Sequence, residues 1–291
     1  MTKRKLKIAI IGSGNIGTDL LIKSVRSEWL ECTKFIGRNL SSPGMKTAID
    51  LGVSISDKSI EAISQDPDCC DLVFDATSAI DAKRHWAVLE KLGKTVIDMT
   101  PSNIGKMCIP AVNIGDTIQY NNVNMVTCGG QASIPIAYCI GKTHTEVDYI
   151  EVVSSIASKS AGPATRLNLD EYVDTTELGV RLFSGTKRSK AILNLNPAYP
   201  CIDMQTTIFA SVKQPNIENL NKMILDMVDN IKQYVPGYEL IVPPLIEDGR
   251  IVVMVRVKGL GDYLPKYAGN LDIINCAAIA VAEQYAKYKL A

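Results

Sequence analysis

The chain has little of what marks several protein classes. Only two of its 291 residues are histidine, His85 and His144, and neither sits in a metal-ligand pattern, so no metal site is expected. Lysine and arginine number 31 against 31 aspartate and glutamate, with no long basic run, which removes the electrostatic footprint of a nucleic-acid or anionic-membrane binder. The apolar run behind the basic Met1-Thr2-Lys3-Arg4-Lys5 reaches only from Ile8 to Ile11. That is too short for a secretion signal and far too short for a membrane span. The eight cysteines form no CxxC pair and no regular spacing. They read as reduced thiols of a cytoplasmic protein. Internal repeats and low-complexity segments are also missing, so a small-molecule substrate becomes the expectation.

What is present is a large apolar fraction arranged in two different rhythms. With 46% hydrophobic residues, the chain can bury a sizeable core without staples. Leu6 to Ile11 reads as a strand, Gly12-Ser13-Gly14-Asn15-Ile16-Gly17 follows at once, and Thr18 to Val25 has helical spacing. In that context GxGxxG is the dinucleotide pattern: Gly12 permits the tight turn, Gly14 lets a pyrophosphate approach the backbone, and Gly17 lets helix and strand pack closely. Further strands read over 33–37, 71–75 and 95–99, separated by helices over 43–51 and 79–92. This alternation predicts a doubly wound parallel sheet of Rossmann type. The acid expected about 20 residues on, at the end of the second strand, is replaced by Arg38. An arginine there can accept a 2′-phosphate, as in NADP, or stack on adenine as a surface side chain.

Beyond Thr143 longer strands dominate, over 147–156, 191–195, 204–212, 239–243 and 251–258, with helices over 169–183 and 217–234. That predicts an α+β domain. An alanine-rich helix over 272–288 is expected to return to the first domain. The reading is therefore 1–127 dinucleotide-binding, 128–268 catalytic and dimerising, and 269–291 returning.

Cys128 lies where these rhythms meet, in Val123-Asn124-Met125-Val126-Thr127-Cys128-Gly129-Gly130-Gln131-Ala132-Ser133-Ile134-Pro135. The spacing predicts a short strand, a sharp turn of positive φ at Gly129-Gly130, and a helix over 134–140. A thiol at a helix N-terminus faces free N–H groups and the positive end of the dipole, which favour thiolate and could hold an oxyanion.

With these residues in place, the chain resembles the acylating, CoA-dependent acetaldehyde dehydrogenases that partner 4-hydroxy-2-oxovalerate aldolase in aromatic-hydrocarbon catabolism. The likeness rests on Ile10 to Leu20, on Val73-Phe74-Asp75-Ala76-Thr77-Ser78-Ala79, on the Cys128 run, on Ser158-Lys159-Ser160-Ala161-Gly162-Pro163, on Tyr234 to Tyr238, and on Tyr263 to Ile273. The resemblance implies an architecture like the glyceraldehyde-phosphate and semialdehyde dehydrogenases, Cys128 as acyl-thioester nucleophile, NAD as cofactor (NADP if Arg38 reads a 2′-phosphate), and CoA as co-substrate. It places Ser13 to Ile16, Ser158 to Arg166 (with Ala164 and Thr165 between) and Asn270 against the cofactor. It also implies a homodimer and association with the aldolase. Asn270, following Gly269, could equally cap the last helix.

Three departures stand out. Arg38 replaces the family's acid. Thr206, in Met204-Gln205-Thr206-Thr207, stands where the family carries the aspartate proposed as base, and threonine cannot serve as that base near neutral pH. Asp203 could substitute only if the strand is re-registered. The stretch from Tyr238 to Val253 is also short for the family. Two rival readings follow: a phosphorylating semialdehyde dehydrogenase, whose cysteine pairs with a histidine, and a nicotinamide-binding homologue that lost catalysis.

Overall fold

The computed structural model describes residues 4–290. Chain order runs β1 (Leu6–Ile11), α1 (Asn15–Arg26), β2 (Leu30–Ile36), α2 (Pro43–Asp50), β3 (Ser54–Ser56), α3 (Glu61–Ser64), β4 (Leu72–Asp75), α4 (Ala79–Leu89), β5 (Thr95–Asp98), β6 (Lys106–Met107), α5 (Pro110–Thr117) and β7 (Asn122–Asn124). Next come α6 (Cys128–Thr143), β8 (Val147–Ala157), α7 (Pro163–Leu167), α8 (Leu169–Ser184), β9 (Arg188–Asn196), β10 (Met204–Val212), α9 (Ile217–Lys232), β11 (Tyr238–Glu247), β12 (Arg250–Val257) and α10 (Gly269–Leu290).

The first seven strands form one parallel sheet in the order β3-β2-β1-β4-β5-β7-β6. Its central strands are apolar on both faces: β4 and β5 are buried throughout, as a sheet covered by helices on both sides requires. The second sheet runs β11-β12-β10-β8-β9, antiparallel except for the β8–β9 pair. Its strands alternate with period two. Ile150, Val152, Ile208, Val253 and Val255 point into a core shared with Ile134 and Ile140 of α6 and Ile224 and Val228 of α9. Across the opposite face Val242, Met254, Thr207, Val153 and Ile192 align in register over all five strands.

α10 packs on the parallel sheet: Ile274, Ala278, Val281 and Tyr285 share a core with Leu20 and Leu21 of α1, and Thr95 donates a 2.7 Å hydrogen bond to the Tyr285 hydroxyl. A buried ion cluster fixes its start. Lys23 Nζ lies 3.0 Å from Asp19, 2.9 Å from Asp262 and 2.8 Å from Asp272, and Arg26 reaches Asp262 at 2.6 Å. The three carboxylates converge as metal ligands would, but the ammonium already lies among them. Removing it leaves buried anions unpaired. Lys23→Met should therefore lose roughly 3–5 kcal/mol of unfolding free energy, read from urea denaturation; a loss under about 1 kcal/mol would mean the cluster carries little.

Candidate active site

The site forms at the carboxyl ends of the parallel strands, where open α/β sheets hold their ligands. β1 runs into Gly12, β4 into Ala76-Thr77, β5 into Met99-Thr100, and β7 through Met125 to Cys128. These loops, with α8 and α10, line an open cavity whose walls include Ile16, Thr77, Thr100, Cys128, Tyr172 and Asn270.

Cys128 is the first residue of α6, a longer helix than the sequence predicts. Thr127 caps it, its hydroxyl accepting the Gly130 N–H at 2.8 Å and lying 2.7 Å from the Thr176 hydroxyl. The positive φ expected at Gly129-Gly130 is found instead at Val126, with φ 62°. Both glycines are helical. Gly129 is small for a different reason: a Cβ there would lie 2.1 Å from the Tyr172 hydroxyl and 2.9 Å from Ser154 Oγ. The Cys128 sulfur sits 3.8 Å from that same Tyr172 hydroxyl.

The expectation of a favoured thiolate is also corrected. Burial pushes the Cys128 thiol up to about 11, although Tyr172 and the N–H groups of Gly129 and Cys128 pull the other way. The dipole and amide arguments have the right sign but are outweighed by desolvation.

The glycine motif fits a dinucleotide. Gly12 adopts φ 115° and a Cβ there would strike Ala76 O, a Cβ on Gly17 would lie 1.7 Å from Gly12 O, and Gly14 faces open space. α1 starts at Asn15 with no side-chain cap, so its first N–H groups are free for a pyrophosphate. Ser13 sits beside Gly37 and takes a 3.3 Å contact from Ser42 Oγ. Arg38 is exposed just past β2 and makes no ion pair among the described residues. At the other end of the cavity Asn270 is 1% exposed and its Oδ1 has no partner. Lying inside the first turn of α10 with that oxygen unused, it does not act as a cap. An unsatisfied buried amide facing a cavity is what a polar ligand group would complete.

The run Ser158 to Arg166 is brought together less fully. Ser158–Ser160 forms a short 3₁₀ turn, and Arg166 ties it shut through Ser158 O (3.0 Å), Ser158 Oγ (2.9 Å) and Ala161 O (3.1 Å). Lys159 turns to the Tyr199 ring and Ser160 bonds back to Ala157 O. Thr165 reaches the cavity wall. Gly162 is half-buried, and the side chains of Pro163 and Ala164 lie outside the described residues. Thr100, Asn168 and Tyr172 of the wall have no role in the sequence reading, and Thr77 enters it only within a block of the family resemblance. Thr77 and Thr100 follow strand ends and were findable; Tyr172, 44 residues from Cys128, depends on how α8 packs.

Thr206 is buried and pairs with Ser154 at 2.9 Å. The β10–β12 register is unbroken from Met204 to Ala210, so Asp203 is not shifted into the vacated acidic position. Buried carboxylates do stand elsewhere. Asp75 and Asp98 end adjacent strands in register. Asp75 accepts from Thr77 N (3.2 Å) and lies 2.7 Å from His85 Nδ1. For His85 burial lowers the pKa, but the Asp75 hydrogen bond and charge outweigh it and the net direction is up. Burial pushes Asp98 up to about 6 against its hydrogen bonds, with Asp75 adding to the rise.

The chain belongs with dehydrogenases that join a nucleotide-binding parallel sheet to a mixed-sheet domain. Its fold is like that of a Candida albicans aspartate semialdehyde dehydrogenase solved with NADP (TM-score 0.66, 11% identity, covering 96% of this chain and 100% of that one). A Vibrio cholerae aspartate semialdehyde dehydrogenase is similar (TM-score 0.63, 13% identity, 96% and 98% covered). Within that class residues 128–265 match the family model described as prokaryotic acetaldehyde dehydrogenase, dimerisation. Acetaldehyde dehydrogenases of Pectobacterium atrosepticum (61% identity, 96% of this chain, 95% of that one), Spirochaeta aurantia (58%, 99% and 97%) and Geobacillus stearothermophilus (46%, 99% and 98%) align nearly end to end. The chain is a member of the acetaldehyde dehydrogenase family, and an enzyme.

Among the described residues no helix is long and apolar enough to cross a membrane. The two raised groups set a pH dependence of stability. A raised folded-state pKa gives stability that is present at low pH and lost as pH rises through the folded value. For Asp98 that loss comes near pH 6, and His85 acts in the same direction. The thermal midpoint should therefore rise as pH falls from 8 to 6, measured by scanning calorimetry, and His85→Gln should flatten that rise.

Proposed function

We infer that this enzyme oxidises a short aldehyde, acetaldehyde in the first instance, to an acyl-CoA by way of a thioester on Cys128, using NAD or NADP. The observation that carries the reading is one cavity that holds the Cys128 thiol at a helix start and the unsatisfied Asn270 amide across from it. Cys128 Sγ adds to the aldehyde carbon, and the oxyanion so formed lies against the Cys128 and Gly129 N–H groups at the head of α6. The oxidised nicotinamide, when bound, supplies the hydride acceptor and a positive charge that favours the thiolate. Collapse of that oxyanion with loss of hydride leaves the thioester on Cys128. The CoA thiol then attacks its carbonyl and the Cys128 sulfur leaves, regaining its proton.

The cofactor would lie along Gly12 to Gly17, with its nicotinamide end toward Asn270 and Thr165. Arg38, exposed and unpaired, has the reach for a 2′-phosphate, so NADP is admitted beside NAD. A phosphorylating reading finds less support: His144 is at the opposite end of the 16-residue α6, about 24 Å from Cys128. It is also fixed there by Ile140 O and the Asn216 N–H. Cys128→Ala should lower CoA-dependent nicotinamide reduction by roughly 10³-fold or more. Retention of most of the rate, with either cofactor, would remove Cys128 from the chemistry.

The reading includes a homodimer, supported by the dimerisation family match and by the row Val242, Met254, Thr207, Val153 and Ile192. Apart from Thr207 this is an apolar row on the sheet face away from α6 and α9, beside the Arg256–Glu239 ion pair. Such a face needs a cover. Association with an aldolase and a cytoplasmic setting follow from the resemblance. Introducing a charge with Met254→Glu should halve the mass seen in sedimentation without unfolding the chain; an unchanged mass would place the contact elsewhere.

A further inference from the structure

Apart from the thiol, buried titratable groups gather in the Lys23 cluster, whose cation is already in place, in the His85–Asp75 pair, and at the carboxylate next to it, Asp98. Asp98 is 1% exposed, and the donors it receives come from the loop after β5, whose Thr100 lines the cavity, and from β7, which leads to Cys128. Thr100 N donates to Oδ1 at 2.8 Å; Ser102 Oγ donates to Oδ2, as does Asn124 Nδ2 at 3.1 Å. The Asp98 carbonyl also accepts the Met125 N–H at 2.9 Å.

Asn124 is fully buried and uses its amide in both directions. Its Nδ2 donates to Asp98 and, at 2.8 Å, to Thr100 O, while its Oδ1 accepts the Val126 N–H at 2.9 Å. Val126 is the β-branched residue held at φ 62°, an unfavourable conformation for its type that persists only where the surroundings over-determine it. Two residues later comes Cys128.

From this geometry we propose that Asp98 and Asn124 are a positioning pair for the nucleophile. Ionised Asp98 fixes the Asn124 amide, which holds the Val126 turn and so the direction in which Cys128 Sγ enters the cavity. The proposal rests on the reading of Cys128 as nucleophile.

The residue types fit no simpler role. Because the Asn124 oxygen is committed to Val126, its NH₂ must face Asp98, and every partner on the carboxylate is a donor. Protonation would set an O–H against Ser102 or Asn124, and an asparagine at 98 would set an NH₂ there. Among the described residues the other charged group facing Asp98 is Asp75 on β4, with His85 of α4 on its far oxygen. β7 contributes Asn124, and the loop after β5 contributes Thr100 and Ser102. A buried anion beside another anion costs stability, so a neutral residue would serve the fold better.

The test is kcat and KM for CoA-dependent aldehyde oxidation by the full-length enzyme between pH 5 and 8.5, with melting temperatures at each pH. Wild type should show a fall in kcat centred near pH 6 with KM changing little, while its melting temperature does not fall between pH 7.5 and 5.5. Asp98→Asn should lower kcat at least tenfold, leave KM within about threefold, and abolish that fall. Asn124→Asp keeps an acceptor for Val126 but needs a proton shared with Asp98, so its kcat should drop as pH rises. A fall near pH 6 that persists in Asp98→Asn, or a wild type without one, overturns the pair. Should neither variant fold, the wild-type profile alone decides. If Cys128→Ala is inactive in the same assay while the Asp98→Asn profile matches wild type, the nucleophile stands and the pair fails; an active Cys128→Ala enzyme fails the nucleophile itself.

Discussion

A left-handed valine stands between the sheet and the thiol, and the site depends on it. A parallel strand delivers its last side chains along the sheet, whereas a helix that begins on the sheet's edge must leave at an angle, so the chain has to turn within two or three residues. At Val126 it does so with φ 62°, a conformation that costs of order 1–3 kcal/mol in a β-branched residue. The cost is met by its N–H bond to Asn124, by Val126 being fully enclosed in the core behind α6, and by Thr127 capping the helix on the other side. Glycine at 126 would relieve the strain but also loosen the direction of Cys128. The two glycines that follow are used to let Tyr172 and the core come close.

The opposite wall depends on a different interaction. Asn270 is delivered by α10, a helix more than 140 residues downstream of Cys128, and its first turn is anchored where Asp272 meets Lys23 of α1. α1 is the helix whose N-terminus meets the glycine turn. One buried ammonium thus links the helix that follows the glycine turn to the Asn270 amide on the cavity wall, and Asn275 adds a bond to Asp19 on α1 at 2.8 Å. Alanine-rich spacing lets α10 approach closely enough for these short side chains to meet.

How much of this was legible in the sequence follows from what each signal reports. Strand positions came through where apolar residues alternate or run: β1 and β10 fall where the pattern puts them, and β8 to within a residue. Short pieces such as β3 and β6 did not, because two or three residues carry no period. The glycine motif was readable since each glycine answers a local steric demand. The turn before Cys128 was misplaced because glycine is the usual residue at positive φ, and nothing local tells that a buried asparagine two residues earlier can hold a valine there. Tyr172, and Asn124 as a partner of Asp98, are invisible for the same reason: they are joined by topology, through elements adjacent in space but not in sequence. Thr206 was placed correctly as a residue, but its partner Ser154 became apparent only with the β8–β10 register.

Thr206 also bears on the thiol's protonation. A carboxylate at that position, behind Ser154 and the first turn of α6, would add negative charge near the sulfur and push its pKa higher still. Here two hydroxyls occupy the space, so the rise to about 11 comes from burial, and Tyr172 with the helix amides works against it. Burial can be reversed in effect by bringing in a cation, whereas a fixed anion would oppose it permanently. Burial thus holds the thiol's pKa up in the bare cavity, and a cation bound beside it would lower that pKa again.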